Sequence, residues 1–388
     1  MSLVQNVKQN LKGDRNIWVI FAFLCLASML AVYSSAGIME YRAGGLGVGY
    51  SILKHMLLIV IGGMVVYVVH QLPHRFFSAI APTFLLVAIG LLIFTMFFGV
   101  EKNDARRWIS LPIIGFSLQT SDLAKVAIVL FLARTISTKQ AIIKDFRSAF
   151  LPLLTPILLV CILIAPSDLS SAAILFVTCL IMLFVGRIKM KYIMLIFLTG
   201  IIALAVFILL GDFVDGFSRV DTWMSRLSDF VNGAGSSDNT QAKIAIAQGG
   251  WFGIGPGNSV QRNFIAYPYA DFIYAIICEE YGAIGAFFIL ILYLLLLFRC
   301  TKILTRSRKA FGALLAFGLC INIVLQALAN LAVSVHLVPP TGLNLPMISM
   351  GGSSQLFTAL QFGIILSVSR EVEKNGLHKK NLKDESDD

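Results

Sequence analysis

Long apolar runs decide what this chain can fold into. About ten of them, most near the length that crosses a bilayer, can be marked along it. They are Ile17–Ala36, Leu53–His70, Phe77–Val100, Leu123–Ser137, Leu151–Ala165, Ser170–Gly186, Tyr192–Leu210, Phe272–Phe298, Phe311–Val335 and Gln355–Ser369. Hydrocarbon offers no partner to a backbone N–H or C=O, so such a run must satisfy its own peptide groups as a helix. The expected fold class is therefore an all-α integral membrane protein with about ten transmembrane helices. The charged fraction of 13% points the same way, since soluble domains carry about 25%. The first run has the length of a signal peptide, with Ser34-Ser35-Ala36 as a cleavage site. An uncleaved first helix is expected, because an even number of helices fits the charges.

Those charges set the topology. With the N-terminus in the cytoplasm, the inner segments hold Lys8, Lys12 and Arg15, then Arg134, Lys139, Lys144 and Arg147, then Arg187, Lys189 and Lys191. They also hold the basic residues from Arg299 to Lys309 and from Arg370 onward. The outer loops hold far fewer, and this bias obeys the positive-inside rule. Both termini are therefore expected in the cytoplasm. The net charge of +10 then belongs to the inner membrane surface and calls for no nucleic-acid partner. Cys25, Cys161, Cys179, Cys278, Cys300 and Cys320 lie in or at the edge of apolar runs. They read as small hydrophobes, with neither metal-ligand spacing nor a disulfide framework.

Residues 1–16 form a cytoplasmic N-terminus, 17–370 one polytopic domain, and 371–388 a charged cytoplasmic tail expected to be disordered. The longest loop, Gly211–Asp271, lies outside, between helices seven and eight. Its middle, Asn232–Thr240, is rich in Gly, Ser and Asn and reads as mobile. Gln241–Gly257 turns amphipathic and then glycine-rich. A re-entrant or interfacial piece is expected there, since irregular backbone sits at membrane depth only where protein covers it.

Asp271 stands where that loop gives way to an apolar helix. A half-buried carboxylate in this place can take a proton from a hydroxyl. It can equally cap the helix by accepting its first N–H groups. Lys125 sits about one turn inside the fourth run, with Asp122 and Ser121 on the same face. A cation there needs a partner or a purpose, either an internal pair with Asp122 or an anion at the outer face. Arg106-Arg107-Trp108 offers planar guanidinium forks suited to phosphate, although exposed arginines are more often simply solvated. Asp168 closes a tight outer turn, where a helix cap is the default reading. Arg262 belongs to the long loop. Glu279 and Glu280 lie about two turns inside the eighth helix, so at least one is expected to face a polar cavity. Pro339 to Ser354 is a conformationally fixed outer loop, and its final Gly-Gly-Ser353-Ser354 offers N–H groups and hydroxyls at a helix start. These ionisable groups share the external third of the membrane, while the cytoplasmic halves of the runs are apolar. That pattern describes an outward-facing site for an anionic, lipid-linked substrate. A path through the membrane would need polar groups at several depths.

The same residues resemble the SEDS family (shape, elongation, division and sporulation), the group containing FtsW and RodA. The resemblance runs from about Tyr33 to Glu371, nearly the whole chain. Its motifs are Ala105-Arg-Arg-Trp-Ile, Leu118-Gln-Thr-Ser-Asp-Leu-Ala-Lys125, Asp168-Leu-Ser-Ser-Ala, Gln241-Ala-Lys-Ile-Ala-Ile-Ala-Gln-Gly-Gly, Asp271-Phe-Ile-Tyr-Ala-Ile-Ile-Cys-Glu-Glu-Tyr-Gly, and Pro339-Pro-Thr-Gly leading to Gly-Gly-Ser-Ser354. Three places depart from the family's usual wording. Thr120-Ser-Asp122 replaces Pro-Ser-Glu, Pro166-Ser-Asp168-Leu-Ser-Ser replaces Gln-Pro-Asp-Leu-Gly-Thr, and Met350 replaces a Tyr. Charge is kept in the first two. The pattern is closer to the division branch, FtsW, than to RodA.

The resemblance implies a polytopic peptidoglycan glycosyltransferase of the bacterial cytoplasmic (inner) membrane, polymerising lipid II on the outer face and releasing undecaprenyl pyrophosphate. It further implies a class B penicillin-binding transpeptidase as partner, other divisome membrane proteins nearby, and a place at the division septum. Asp271 matches the family's essential aspartate and is the expected catalytic residue. Arg107, Lys125, Gln119, Asp168, Arg262, Glu280, Ser353 and Ser354 are the expected substrate-binding residues. No metal-ligand cluster or required cofactor is legible, and a divalent cation (Mg or Mn) bridging diphosphate and carboxylate stays open. Two rival readings are a lipid II flippase, disfavoured by the apolar cytoplasmic halves, and a non-catalytic scaffold activating the transpeptidase, which would be indifferent to the charge at Asp271.

Overall fold

The computed structural model describes residues 12–43, 48–102, 105–111, 116–140, 145, 151–211, 220–232 and 237–384. All the apolar runs named above fall on helices. They are α1 (Arg15–Ala43), α2 (Val48–Val69), α3 (His74–Phe98), α4 (Thr120–Thr138), α5 (Leu151–Ile164), α6 (Leu169–Val185) and α7 (Met190–Gly211). Two helices of the long loop follow, α8 (Val220–Val231) and α9 (Ser237–Gly249), then α10 (Ile273–Arg306), α11 (Ala310–Ser334) and α12 (Ser353–Asp384). Among the described residues, α1, α2, α3, α7, α10 and α11 are long and apolar enough to cross a membrane, and α5 and α6 are shorter apolar helices. The protein is a multi-pass membrane protein.

Apolarity and position do not run together. Of the span in α11, 83% is buried within the protein, against 11% of the span in α7. The helices at the centre are those that must hold polar groups away from lipid. α11 carries buried Asn322, Gln326 and Asn330, and α4 is buried nearly all round with Asp122 and Lys125 inside it. α7 has no such cargo and faces hydrocarbon. α11 packs against α10, α4, α6 and α12, while α2 lies along α12.

The connection from α3 to α4 is more ordered than a loop. Val100–Lys102 (β1), Ala105–Leu111 (β2) and Phe116–Gln119 (β3) form a three-stranded antiparallel sheet in the order β1-β2-β3. Trp108 pairs with Gln119 and Ile109 with Leu118. The alternation that drives it covers only a few residues between long apolar runs, too short a pattern to be read as strand beforehand. The sheet holds Arg107 and Gln119 on rigid backbone at the head of α4.

The glycine-rich stretch after α9 is built into α10. Gly282 breaks α10 with φ 64°, a left-handed value that suits glycine. The helix's interrupted peptide groups find partners in the loop. Ile254 and Gly255 amides donate to Glu279 and Glu280 carbonyls at 3.0 and 3.1 Å, and Ala283 N–H donates to Gly250 O at 2.9 Å. The expected protein-covered irregular segment is thus an insertion clasped by a kinked helix. Ser237–Thr240, expected within a mobile stretch, forms the first turn of α9, where Asp238 also accepts from Ala266 N–H at 3.0 Å. Residues 233–236 of that stretch lie outside the described residues.

At the far end of α10, Arg299 pairs with Asp14 at 2.5 Å, Lys309 with Glu371 at 2.7 Å, and Arg370 donates to Gln71 O at 2.9 Å. α12 continues to Asp384, through the tail expected to be disordered. The start of that tail is tied down by Glu371 and by Glu373, which accepts from Gly13 N–H at 3.2 Å. Residues 385–388 lie outside the described residues.

Candidate functional site

A cavity of about 420 Å³ opens at the outer end of the bundle, where the sheet, the heads of α4, α6 and α12, and the loops before α10 and α12 meet. Asp271, Arg107, Lys125, Gln119, Asp168 and Ser354 all line it. They come from positions more than two hundred residues apart, and the fold brings them to one wall.

Asp271 does not cap α10. The N-cap is Phe272, which makes no side-chain capping bond. The backbone of Asp271 is fixed instead: Asn330 Nδ2 donates to its carbonyl at 2.8 Å and to Leu343 O at 2.6 Å. Ser349 Oγ donates to the neighbouring Ala270 O at 2.6 Å. The carboxylate itself makes no hydrogen bond among the described residues and lies beside Gly342, whose left-handed φ of 69° suits glycine. Burial raises its pKa from 3.8 to about 6, Arg107 and Arg226 oppose the rise, and Asp168 and Asp238 add to it. A carboxyl poised near neutrality and free of partners is equipped to accept a proton.

Arg107 and Lys125 are each held by an acid. Arg107 Nη1 lies 3.2 Å from Asp168 Oδ2. Asp168 also caps α6, accepting from Ser171 N–H at 3.0 Å and Ser171 Oγ at 2.8 Å. Lys125 Nζ lies 2.9 Å from Asp122 Oδ1 and 3.3 Å from Gln326 Oε1. The internal pair is therefore present, yet it sits in the cavity wall. Asp122 Oδ2 is buried with no partner among the described residues. Gln119 N–H donates to Ser353 Oγ at 2.9 Å, so Ser353 joins β3 to α12 just behind the wall that Ser354 lines.

Arg262 and Glu280 lie elsewhere. Arg262 donates to Ser34 O at 2.7 Å and Ser34 Oγ at 3.1 Å. Glu280 accepts from the Ser34 hydroxyl and from Ser259 N–H, and Glu279 from the Ser259 hydroxyl and the amides of Val260 and Gln261. Neither carboxylate faces the cavity, contrary to the expectation from their depth. Backbone amides and a hydroxyl of the inserted loop, with the Ser34 hydroxyl of α1, bind them, while Glu280 Oε2 has no partner among the described residues; the cluster fastens the segment leading to Asp271 onto α10 and α1. Two cavity cations escaped the sequence reading, Arg226 and Lys54. The signal for Arg226 was the spacing of Trp223, Arg226 and Phe230 on one face of a short amphipathic helix. Lys54, a single basic residue at the head of an apolar run, carries no further local signal.

Residues 14–374 match the family of cell cycle proteins FtsW/RodA/SpoVE. The chain is 31% identical over 380 residues to a probable peptidoglycan glycosyltransferase FtsW of Hydrogenovibrio crunogenus, covering 95% of this chain and 94% of that one. It is 30% identical to stage V sporulation protein E of Bacillus subtilis, covering 92% and 97%. Among solved structures, RodA of Thermus thermophilus superposes with a TM-score of 0.67 at 22% identity, covering 92% of this chain and 97% of that one. A chain from a study of polymerization and crosslinking by a peptidoglycan synthase complex superposes with a TM-score of 0.72 at 21% identity, covering 93% and 98%. At those identities the two structures speak for the fold, while the sequence match runs through every wall of the cavity and both ends of the bundle; the chain belongs to the FtsW/RodA/SpoVE family of cell cycle proteins.

Proposed function

We propose that this chain is a peptidoglycan glycosyltransferase that polymerises lipid II at the outer face of the bacterial cytoplasmic membrane, in septal wall synthesis. The observation that carries the reading is Asp271: a carboxylate with no hydrogen-bond partner among the described residues and a pKa near 6, in an outward cavity walled by cations. The 4-hydroxyl of an acceptor sugar attacks the anomeric carbon of the donor. The new glycosidic C–O bond forms as the bond to undecaprenyl pyrophosphate breaks, with inversion. Asp271 takes the hydroxyl proton. Negative charge builds on the departing diphosphate, where the cations of the wall stabilise it most. Arg107 and Lys125 contribute a fixed field there, and Gln119 and Ser354 shape the pocket. Asp168 and Asp122 already hold cations, which leaves Asp271 as the carboxylate that a Mg or Mn ion arriving with the diphosphate would share.

The names of the FtsW relatives support this activity and the septal placement. The peptidoglycan synthase complex among the structural neighbours supports a crosslinking partner of the class B penicillin-binding type, alongside other divisome membrane proteins. The test is the purified protein with fluorescent lipid II, resolved on a gel with and without that partner. Wild type yields glycan strands. Asp271→Asn folds, reaches the membrane and yields none. Strands from the Asn variant at the wild-type rate would favour a scaffold, and lipid II transfer across a vesicle bilayer without polymer would favour a flippase.

A further inference from the structure

The described wall of the cavity carries the cations Lys54, Arg107, Lys125 and Arg226 and the carboxylates Asp122, Asp168 and Asp271. Two of these cations already sit in ion pairs. Arg107 is paired with Asp168 and Lys125 with Asp122. Lys54 and Arg226 have no ion-pair partner among the described residues, and the hydrogen bond that Arg226 makes, 3.3 Å to Pro340 O, is to a neutral carbonyl. With the pairs cancelled, the cavity presents a lone base, Asp271, and these two cations.

Resting on the glycosyltransferase reading, we propose that Arg226 and Lys54 are the groups that receive the diphosphate of the lipid-linked sugar donor, with Arg107 and Lys125 acting behind them as neutralised pairs. Each phosphoryl group of a diphosphate diester carries one negative charge, and the one next to the sugar gains another as the glycosidic bond breaks. Turning Arg107 toward it would take the cation from Asp168, which is only 5% exposed and would keep only the Ser171 amide and hydroxyl, and turning Lys125 would strip Asp122, at 6%. A buried carboxylate stripped of its cation is strongly unfavourable. Lys54 and Arg226 need no such exchange. They reach the cavity from different elements, α2 and α8. The inward face of α8 is fixed by packing: Trp223 lies 6.1 Å from the Phe207 ring and Phe230 4.9 Å from His336, with Arg226 between them on the same face. Arg226 supplies the planar fork that suits a phosphoryl group, and Lys54 a point charge.

The experiment uses the full chain in detergent or nanodiscs with lipid II as substrate and undecaprenyl diphosphate or inorganic diphosphate as competitor. Arg226→Ala and Lys54→Met each raise KM and weaken inhibition by undecaprenyl diphosphate about tenfold, equivalent to about 1.4 kcal/mol. Arg226→Lys recovers much of the loss. Inorganic diphosphate loses affinity in the same variants, which separates recognition of the phosphates from recognition of the isoprenoid. Asp271 is faced by Arg107, Arg226, Asp168 and Asp238, with Lys54, Lys125 and Asp122 elsewhere in the wall. Removing Arg226 therefore also moves the acid limb of kcat/KM to higher pH, a shift that a merely structural loss would not produce. Wild-type KM and inhibitor affinity in both Arg226→Ala and Lys54→Met, with Asp271→Asn inactive, overturn this inference and leave the reading of the site standing. An active Asp271→Asn overturns that reading itself. Should Arg226→Ala fail to fold, Lys54→Met and Arg226→Lys decide on the same readouts: normal affinity in Lys54→Met, or an Arg226→Lys variant lacking inhibitor binding, sinks the inference.

Discussion

A carboxyl with a pKa near 6 changes protonation within the range where a cell-wall enzyme works, so the chemistry of Asp271 is legible in a pH profile. The base must be ionised, and protonation removes it as the pH falls through about 6. Wild-type kcat/KM is expected to drop about tenfold per pH unit below that point, measured as initial rates on lipid II. The same environment carries a cost. Because the folded pKa lies above the unfolded 3.8, the folded chain holds the proton more tightly, and stability from this group is gained on acidification and lost as the pH rises through about 6. Asp271→Asn should thus melt higher than wild type at neutral pH, by about 1–2 kcal/mol after allowance for partial solvent access. A lower melting point would mean that the carboxylate has a structural partner after all. Lys125 presents the reverse case. At 3% exposure it compensates Asp122, and Lys125→Met should cost about 3–5 kcal/mol. Replacing Asp122 with Asn in the same chain should recover most of that, a pattern that a purely substrate-binding lysine would not give.

Between α9 and α10 the insertion of a loop into a helix sets where Asp271 stands. Gly282 carries φ 64° and Gly253 φ 78°, and a Cβ at either would press on backbone of the other segment. Gly282→Ala is expected to cost about 1–3 kcal/mol from the strained conformation alone. It should also lower activity, since the segment it loosens ends at Asp271. Thermal unfolding in detergent alongside strand synthesis checks this; an Ala variant with normal stability would show that the kink is not needed. Glu279 and Glu280 belong to the same element-scale device. They look like active-site acids in a sequence and serve as the anchor that buried backbone amides require.

Across the whole molecule, the ion pairs around Asp14, Arg299, Lys309 and Glu371 gather at one end of the bundle and the cavity at the other. Sidedness follows if the basic end is cytoplasmic. Single cysteines at Ser307 and Asn258, in a chain stripped of its native cysteines, should label from opposite faces of sealed vesicles; labelling from one face would refute the proposed topology. The outer loop exposes Met224 and Leu227 on α8. A partner's external domain covering these side chains would steady α8 beside the cavity. Addition of the transpeptidase is expected to raise turnover more than affinity and to protect the loop from proteolysis. Full activity of the isolated chain, with unchanged cleavage, would rule that coupling out.

The helices were legible in the sequence because each apolar run must close its own hydrogen bonds in hydrocarbon, whatever surrounds it. Asp271, Arg107 and Lys125 were legible too, since ionisable groups beside apolar runs are costly enough to need a reason. Tertiary structure alone decided the rest. Whether Asp271 capped a helix or faced a cavity depended on Asn330 and Leu343, far along the chain. The sheet arose from a pattern too short to outweigh its neighbours. Arg262 and Glu280 left the site and Arg226 and Lys54 entered it, because a charge's role follows from which partners lie within a few ångströms. Local sequence carries the need for a partner; only the packed bundle determines which partner answers it.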